Sequence, residues 1–365
     1  MKPGIVSIYR YSIPFVRPVP VRGSSLNTRD GLIIGLQTQN GKYTGFGEIA
    51  PLPELHEETL SEALEQCASL LPVIDLSFGD LSLDNAGKTL PDNLFPSVRT
   101  GIEMSLLNLQ SVARETFPSF SGALHAKEKL PLNALLFGNT ESVLAIATDH
   151  FQKGYRTFKL KVQARNPGLA VEQVLALHCA FGNDISLRLD SNRSFSLENA
   201  CTFFNRIPAN SIEYIEEPVA NPYLIPEFFN RTGIHSALDE SLWMTPGIWS
   251  EIPHDCLGGV VLKPSRIGSF SDTLRLALQA EEEKIPAIIS SAYETGIGLG
   301  FYARLASIIS AEPTPCGLDT FRQLSHDILF GSFHVEEGCL LSENTYRSSL
   351  NPDLSMLELV ERWTL

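Results

Sequence analysis

Short runs in which apolar and polar residues alternate fill the first fifty positions. IVSIYRYSI (5–13) alternates, a stretch rich in Pro, Arg and Ser follows, and GLIIGLQTQNGKYTGFGEIA (31–50) resumes a strand-like pattern. Asn40-Gly41 separates two apolar runs, and because both residues tolerate positive φ the spacing predicts a hairpin turn there. The period then lengthens. HEETLSEALEQCASLLPVI (56–74) carries acids in its first turn and apolar residues at helical spacing, and SVRTGIEMSLLNLQSVARE (97–115) reads as a second helix. Residues 1–125 therefore read as an α+β unit, a small sheet followed by helices.

Beyond about residue 126 the pattern changes to βαβ. LPLNALL, FKLKV, SLRLDSN, IEYIEEP, SALDES, GVVLKPS and AIISSAYE are short β-prone runs, most of them separated by helix-like segments, and CGLDT (316–320) offers a last strand. So many parallel units in one stretch suit a closed α/β barrel over 126–330 better than an open sheet. FHVEEGCLL (333–341) adds a strand that the reading sends back to the N-terminal sheet, so 331–365 is expected to rejoin the first unit.

Composition narrows the function. At 365 residues and 43% hydrophobic content the chain can bury a large core. A net charge of −14 without a Lys/Arg run makes a nucleic-acid or anionic-membrane partner a poor fit. No apolar run reaches the length of a membrane span, and the N-terminus has no signal-peptide pattern. The six cysteines are scattered without a CxxC pair, so neither a zinc site nor a disulfide framework is indicated and the cytoplasm is the default location. The reading leaves a monomer or small homo-oligomer acting on a small molecule.

Charged residues recur at the ends of the β-prone runs. Asp190 (LRLDSN), Glu216 (YIEEP), Asp239 (ALDES) and Lys263 (VVLKPS) follow one another at 26, 23 and 24 residues (190 to 216, 216 to 239, 239 to 263). Lys159 and Lys161 lie two apart in FKLKV and so share one face of a strand. Each has a bland reading. The lysine pair could sit at a solvated barrel mouth, Asp190 and Asn192 could cap a turn, and so could Asp239 and Glu240; Glu216 and Glu217 could form a solvated corner. Lys263 in an apolar strand is harder to dismiss, since a lone buried ammonium is costly. Taken together, ionisable groups at the carboxyl ends of consecutive strands mark the face where barrel enzymes carry their sites. Three hard oxygen ligands suit Mg²⁺, with Mn²⁺ as a substitute. GFGEIA fits a dinucleotide-binding string, but Pro51 and Pro53 follow where a helix would have to run, so a strand-to-loop turn is the better reading.

With these residues on the page, the chain resembles the enolase superfamily, in its muconate-lactonizing subgroup, over nearly its whole length. The stretches TRDGLIIGL, GFGEIAPLPELHEETL, LRLDSNRSF, LKPSRIGS and SSAYETGIG carry the likeness. It implies a modified (β/α)₇β TIM-like barrel behind a capping domain, with Asp190, Glu216 and Asp239 as metal ligands. Lys161 is then the base of the Lys159-Leu160-Lys161 pair, and Lys263 the opposing lysine. Sites of that superfamily use a Lys or His base with Mg²⁺ stabilising an enediolate. The implied reaction is proton abstraction next to a carboxylate. The reading favours a dehydration that aromatises a ring, with racemisation of N-acylated amino acids or epimerisation of dipeptides as the alternative and a non-catalytic binding barrel as a distant third. Asn192, Glu217 and Glu240 are expected to orient ligands or lysines. Arg188, Ser290, Ser291 and the backbone at Gly296 are expected to contact substrate, and loops at 17–29 and 52–58 to act as lids.

Overall fold

The computed structural model describes residues 1–21, 24–162 and 164–365. The N-terminal layer is an antiparallel sheet of β1 (Pro3–Val21), β2 (Ser24–Thr38) and β3 (Thr44–Ile49). From Gly31 onward β2 is buried on both faces. Leu32 and Ile34 pack with the helices Leu60–Leu70 and Pro96–Arg114, whereas Ile33 joins the core shared with the barrel. That double burial is why GLIIGL reads as an almost continuous apolar run instead of alternating cleanly.

The hairpin at Asn40-Gly41 is present, with Gly41 at φ +70° and the Thr38 amide donating to the Tyr43 carbonyl at 2.9 Å. The glycines of GFGEIA serve packing. A Cβ on Gly45 would fall 2.1 Å from the Leu109 nitrogen and one on Gly47 2.0 Å from the Gly101 carbonyl, so β3 lies directly on the helix Pro96–Arg114. The Pro/Arg/Ser stretch expected as a loop is instead strand. β1 and β2 resume pairing at Val19↔Leu26 after an irregularity following Pro14. Residues 22 and 23 of that expected lid lie outside the described residues.

LPLNALL splits in two, β4 (Lys129–Pro131) and β5 (Asn133–Leu136). β5 opens a parallel sheet that continues through β6 (Thr157–Lys161), β7 (Ser186–Asp190), β8 (Tyr214–Glu216), β9 (Ser236–Leu238), β10 (Leu257–Leu262) and β11 (Ala287–Ile289). The eighth position is reduced to two bridges, Leu132↔Cys316 and Ser290↔Gly317, which join the first strand region to the last. It goes no further because Asp319 at once starts a 3₁₀ turn, Asp319–Gln323. The architecture is an N-terminal β-rich cap on a modified (β/α)₇β TIM-like barrel.

Within the C-terminal segment, the FHVEEGCLL run departs from expectation. In it β12 (Val335–Glu336) pairs with β13 (Cys339–Leu341), and β13 pairs with β4 and not with the cap; Leu340 is fully buried against the barrel core. The strand that reaches the N-terminal sheet is β14 (Glu358–Thr364), antiparallel to β1. Among the described residues no helix is long and apolar enough to cross a membrane.

Candidate active site

Strand register assembles the site. Lys161 lies beside Asp190 and Asp190 beside Glu216 on adjacent parallel strands, while Asp239 and Lys263 follow the last residues of β9 and β10. All five therefore meet at the carboxyl end of the barrel. The three carboxylates are at most 1% exposed. Lys159 Nζ donates to both Glu216 oxygens at 2.7 Å and lies 2.8 Å from Asp190 Oδ2. Lys161 Nζ donates to Asp190 Oδ2 at 2.5 Å and to Asn192 Oδ1 at 2.7 Å, and Lys263 Nζ donates to Asp239 Oδ2.

A second tier holds these groups. Asn192 Nδ2 donates to Glu240 Oε1 at 2.7 Å, so Glu240 fixes the amide that receives Lys161. Glu217 accepts the Asp239 and Ser241 amides at 2.8 and 2.7 Å and the Ser241 hydroxyl at 2.6 Å, which clamps the turn carrying Asp239. Asn192, Glu217 and Tyr293 hold φ of +43°, +50° and +62°. Non-glycine residues in this region are sparse and costly, and here the surrounding bonds hold them.

Electrostatics follow from this crowding. Burial alone would raise Asp190, but Lys159 and Lys161 outweigh it and hold the carboxyl well below the usual range. Glu216 goes the other way, pushed up by burial and by Asp190. Asp239 is also raised, by burial first, with Lys263 opposing. Burial would lower Lys159 and Lys263, yet the facing carboxylates, Asp190 and Glu216 for the first and Asp239 for the second, keep both raised.

The donor set fits a hard cation in kind. It offers buried carboxylate oxygens, and Asp239 Oδ1 is buried with no hydrogen-bond partner. Among the described residues no group of three or more His, Cys, Asp or Glu side chains is arranged to hold a metal as it stands, since the lysine amines engage the same oxygens.

A cavity of about 110 Å³ opens above these groups, lined by Lys159, Lys161, Asn192, Glu216, Glu240 and Lys263. Its wall is completed by Ser290, Ser291, Tyr293 and Thr320 from the barrel and by Pro20, Val21, Leu52 and Leu55 from the cap. Ser291 Oγ donates to the Gly317 carbonyl at 3.0 Å and shares a 2.8 Å bond with Thr320 Oγ1. Two expected substrate contacts do not reach the cavity. Arg188 is buried beneath it, paired to Glu213 at 2.9 and 3.0 Å and to the Pro315 carbonyl at 2.9 Å. The Gly296 amide is given to Asp327 at 2.9 and 3.0 Å. Asn133 and Leu135 line the cavity unanticipated; a polar residue inside LPLNALL was the available signal for the first. Pro20 and Val21 fall within the expected lid 17–29, as Leu52 and Leu55 fall within 52–58; nothing local marks Thr320.

The chain is similar to known proteins along most of its length. Residues 143–345 match the family model described as enolase C-terminal domain-like, and residues 5–109 match that of the MenC N-terminal domain. The o-succinylbenzoate synthase of Haemophilus influenzae is 32% identical over 88% of this chain and 92% of its own. That of Yersinia enterocolitica is 33% identical over 86% and 89%. Among solved structures, muconate lactonizing enzyme from Pseudomonas fluorescens, complexed with muconolactone, superposes with a TM-score of 0.79 at 20% identity, covering 99% of this chain and 98% of that one. An N-succinyl Arg/Lys racemase from Bacillus cereus gives 0.78 at 20% identity (99% and 100%). An enolase-superfamily member from Roseovarius nubinhibens, complexed with magnesium, gives 0.78 at 17% (100% of both).

Proposed function

The chain belongs to the enolase superfamily, in its muconate-lactonizing and o-succinylbenzoate synthase subgroup, and from that membership we propose that it is an o-succinylbenzoate synthase of menaquinone biosynthesis. The reaction is the Mg²⁺-dependent syn-dehydration of 2-succinyl-6-hydroxy-2,4-cyclohexadiene-1-carboxylate to o-succinylbenzoate. One observation carries the reading: three buried carboxylates stand between Lys161 of β6 and Lys263 beyond β10, below a largely apolar wall that suits a ring.

Asp190, Glu216 and Asp239 would hold Mg²⁺, or Mn²⁺ in its place, which when bound supplies Lewis-acid stabilisation of negative charge on the substrate carboxylate. Lys161 takes the proton next to that carboxylate. Its side chain is the most exposed of the three lysines that line the cavity, at 31% against 13% and 11%. Asn192, held by Glu240, aims it. Lys263 stays charged and stabilises the developing anion from the other side. The electron pair of the broken C–H bond then returns to expel hydroxide from the neighbouring ring carbon. Lys161 hands its proton to that hydroxide, so water leaves and the ring becomes aromatic. Positioned proton transfer of this kind contributes about 10²–10⁴-fold.

A second reading rests on the same lysines. Two amines on opposite sides of an α-carbon serve racemisation of N-succinylamino acids or epimerisation of dipeptides equally well. The deciding experiment gives the purified protein the cyclohexadiene substrate with Mg²⁺ or with EDTA. Product that forms with Mg²⁺ and vanishes with chelator supports the dehydration. No product with Mg²⁺ sinks it, and α-proton exchange into an N-acylated amino acid or dipeptide would then establish the second reading.

A further inference from the structure

The cap does more than cover the barrel, and Arg29 is where this is clearest. Arg29 is 1% exposed, yet among the described residues its guanidinium meets no carboxylate hydrogen-bond partner. Its donors go to four backbone carbonyls instead. Nε reaches Tyr293 at 3.0 Å, Nη1 reaches Asp30 at 2.9 Å and Pro51 at 3.4 Å, and Nη2 reaches Ala50. Two of these acceptors, Ala50 and Pro51, lead straight into the cap loop whose Leu52 and Leu55 line the cavity. A third, Tyr293, is itself a lining residue on the loop that follows β11.

The same barrel loop is gripped a second time from the cap. Glu48 of β3 accepts the Thr295 amide at 2.9 Å, the Thr295 hydroxyl at 2.8 Å and the Gly298 amide at 2.9 Å. Residues 293–298 are thus bonded to β2 and β3 at successive positions. A planar fork with five donors in fixed directions can hold carbonyls of two loops at once in one geometry.

We propose that Arg29 is a positioning residue that pins the cap loop 50–55 to the barrel loop 292–295, so that the two halves of the cavity wall open and close as one unit and set how tightly the ring-bearing substrate is held. This rests on the dehydration reading for the substrate but not for the pin itself. Lysine keeps the positive charge that opposes buried Glu294, but it lacks the fork, so Arg29→Lys isolates the linkage.

The test has two arms. Steady-state kinetics of Arg29→Lys on the cyclohexadiene substrate should give a KM raised about tenfold or more, with kcat held within about threefold, the signature of lost ground-state and transition-state binding alike. The control is Tyr346→Phe, which removes a 2.8 Å bond to Asn108 across the cap–barrel junction away from the cavity. It should lower Tm without moving KM. In the second arm, hydrogen exchange read by mass spectrometry on wild-type protein should show peptides covering 50–56 and 292–298 opening at one common rate, and at two rates in Arg29→Lys. An Arg29→Lys variant that loses only Tm, as the control does, would overturn the proposal. So would two unrelated opening rates in the wild type, and that arm decides the matter even if the variant does not fold. If wild-type protein fails to dehydrate the substrate, the reaction assignment falls and the exchange arm still judges the pin.

Discussion

Two regions of this molecule bury charge and treat it differently. At the barrel rim, charges face charges: Lys159 bridges Asp190 and Glu216, Lys161 meets Asp190, and Lys263 meets Asp239. At the cap–barrel junction, charges face fixed dipoles. Arg29 binds carbonyls, and Glu48 binds two amides, the Thr295 hydroxyl and the Tyr11 hydroxyl at 2.5 Å. An ion held by another mobile ion can exchange partners, which a reacting site needs. An ion held by backbone dipoles cannot leave without exposing them, which suits a joint.

If that division is sound, the rim should govern turnover and metal binding, and the junction should govern stability and the hold on substrate. Lys161→Ala is the strongest test. Turnover should fall by at least the roughly 10²–10⁴-fold that a positioned base supplies, while the melting temperature and Mg²⁺ affinity hold. Near-normal kcat would remove Lys161 as the base. Asp239→Asn should weaken Mg²⁺ binding by more than the approximately 10–100-fold typical of groups that only orient a ligand, as read by isothermal titration. Unchanged affinity would mean that the ligand set is wrong.

The junction should answer the opposite way. Glu48→Ala strands two amides and two hydroxyls, one of them from Tyr11. Chemical denaturation should register a loss of about 2–4 kcal/mol. Mg²⁺ affinity of the folded fraction should stay as in wild type; a drop there with no loss of stability would erase the distinction between the two regions.

The two regions also differ in how much of them the sequence discloses. Each rim residue belongs to a local βα unit, so the rhythm from Asp190 to Lys263 is readable along the chain and fold and site emerge together. The junction is made of contacts between distant segments: Arg29 and Tyr293 are 264 residues apart, Glu48 and Thr295 247. No pattern around TRDGL says whose carbonyls that arginine will meet. The same limit misdirected FHVEEGCLL, whose partner strand β4 lies some two hundred residues earlier, as the Lys129–Glu337 pair at a separation of 208 illustrates. Arg188 stands two residues before Asp190 and so on the same face of β7, but Glu213 on the segment entering the neighbouring strand claims its guanidinium. Gly296 was lost to Asp327 for the same reason.

Glu103 gives the smallest and most selective test, because it is a junction acid with too few dipoles. It is 1% exposed on the cap helix Pro96–Arg114, and Oε2 accepts one amide, from Phe270 of the barrel at 2.8 Å. Oε1 has no hydrogen-bond partner, with Arg99 Nη1 3.9 Å away. Burial pushes its carboxyl up to about 7, with the Phe270 amide and Arg99 opposing. The folded state thus binds the proton more tightly than the unfolded chain, whose carboxyl titrates at about 4.3. Between those values the folded protein holds the proton and the unfolded chain has lost it, so stability should fall as pH rises through this window and level off above it. Glu103→Gln keeps an acceptor for the Phe270 amide and cannot ionise. Denaturation midpoints taken from pH 4.5 to 8 should therefore diverge, the variant gaining about 1–3 kcal/mol over wild type at the alkaline end and nothing at the acid end. A constant difference across the range would show that Glu103 is already paid for by its surroundings, and that the junction tolerates an ion with a single dipole as readily as Glu48 with four donors.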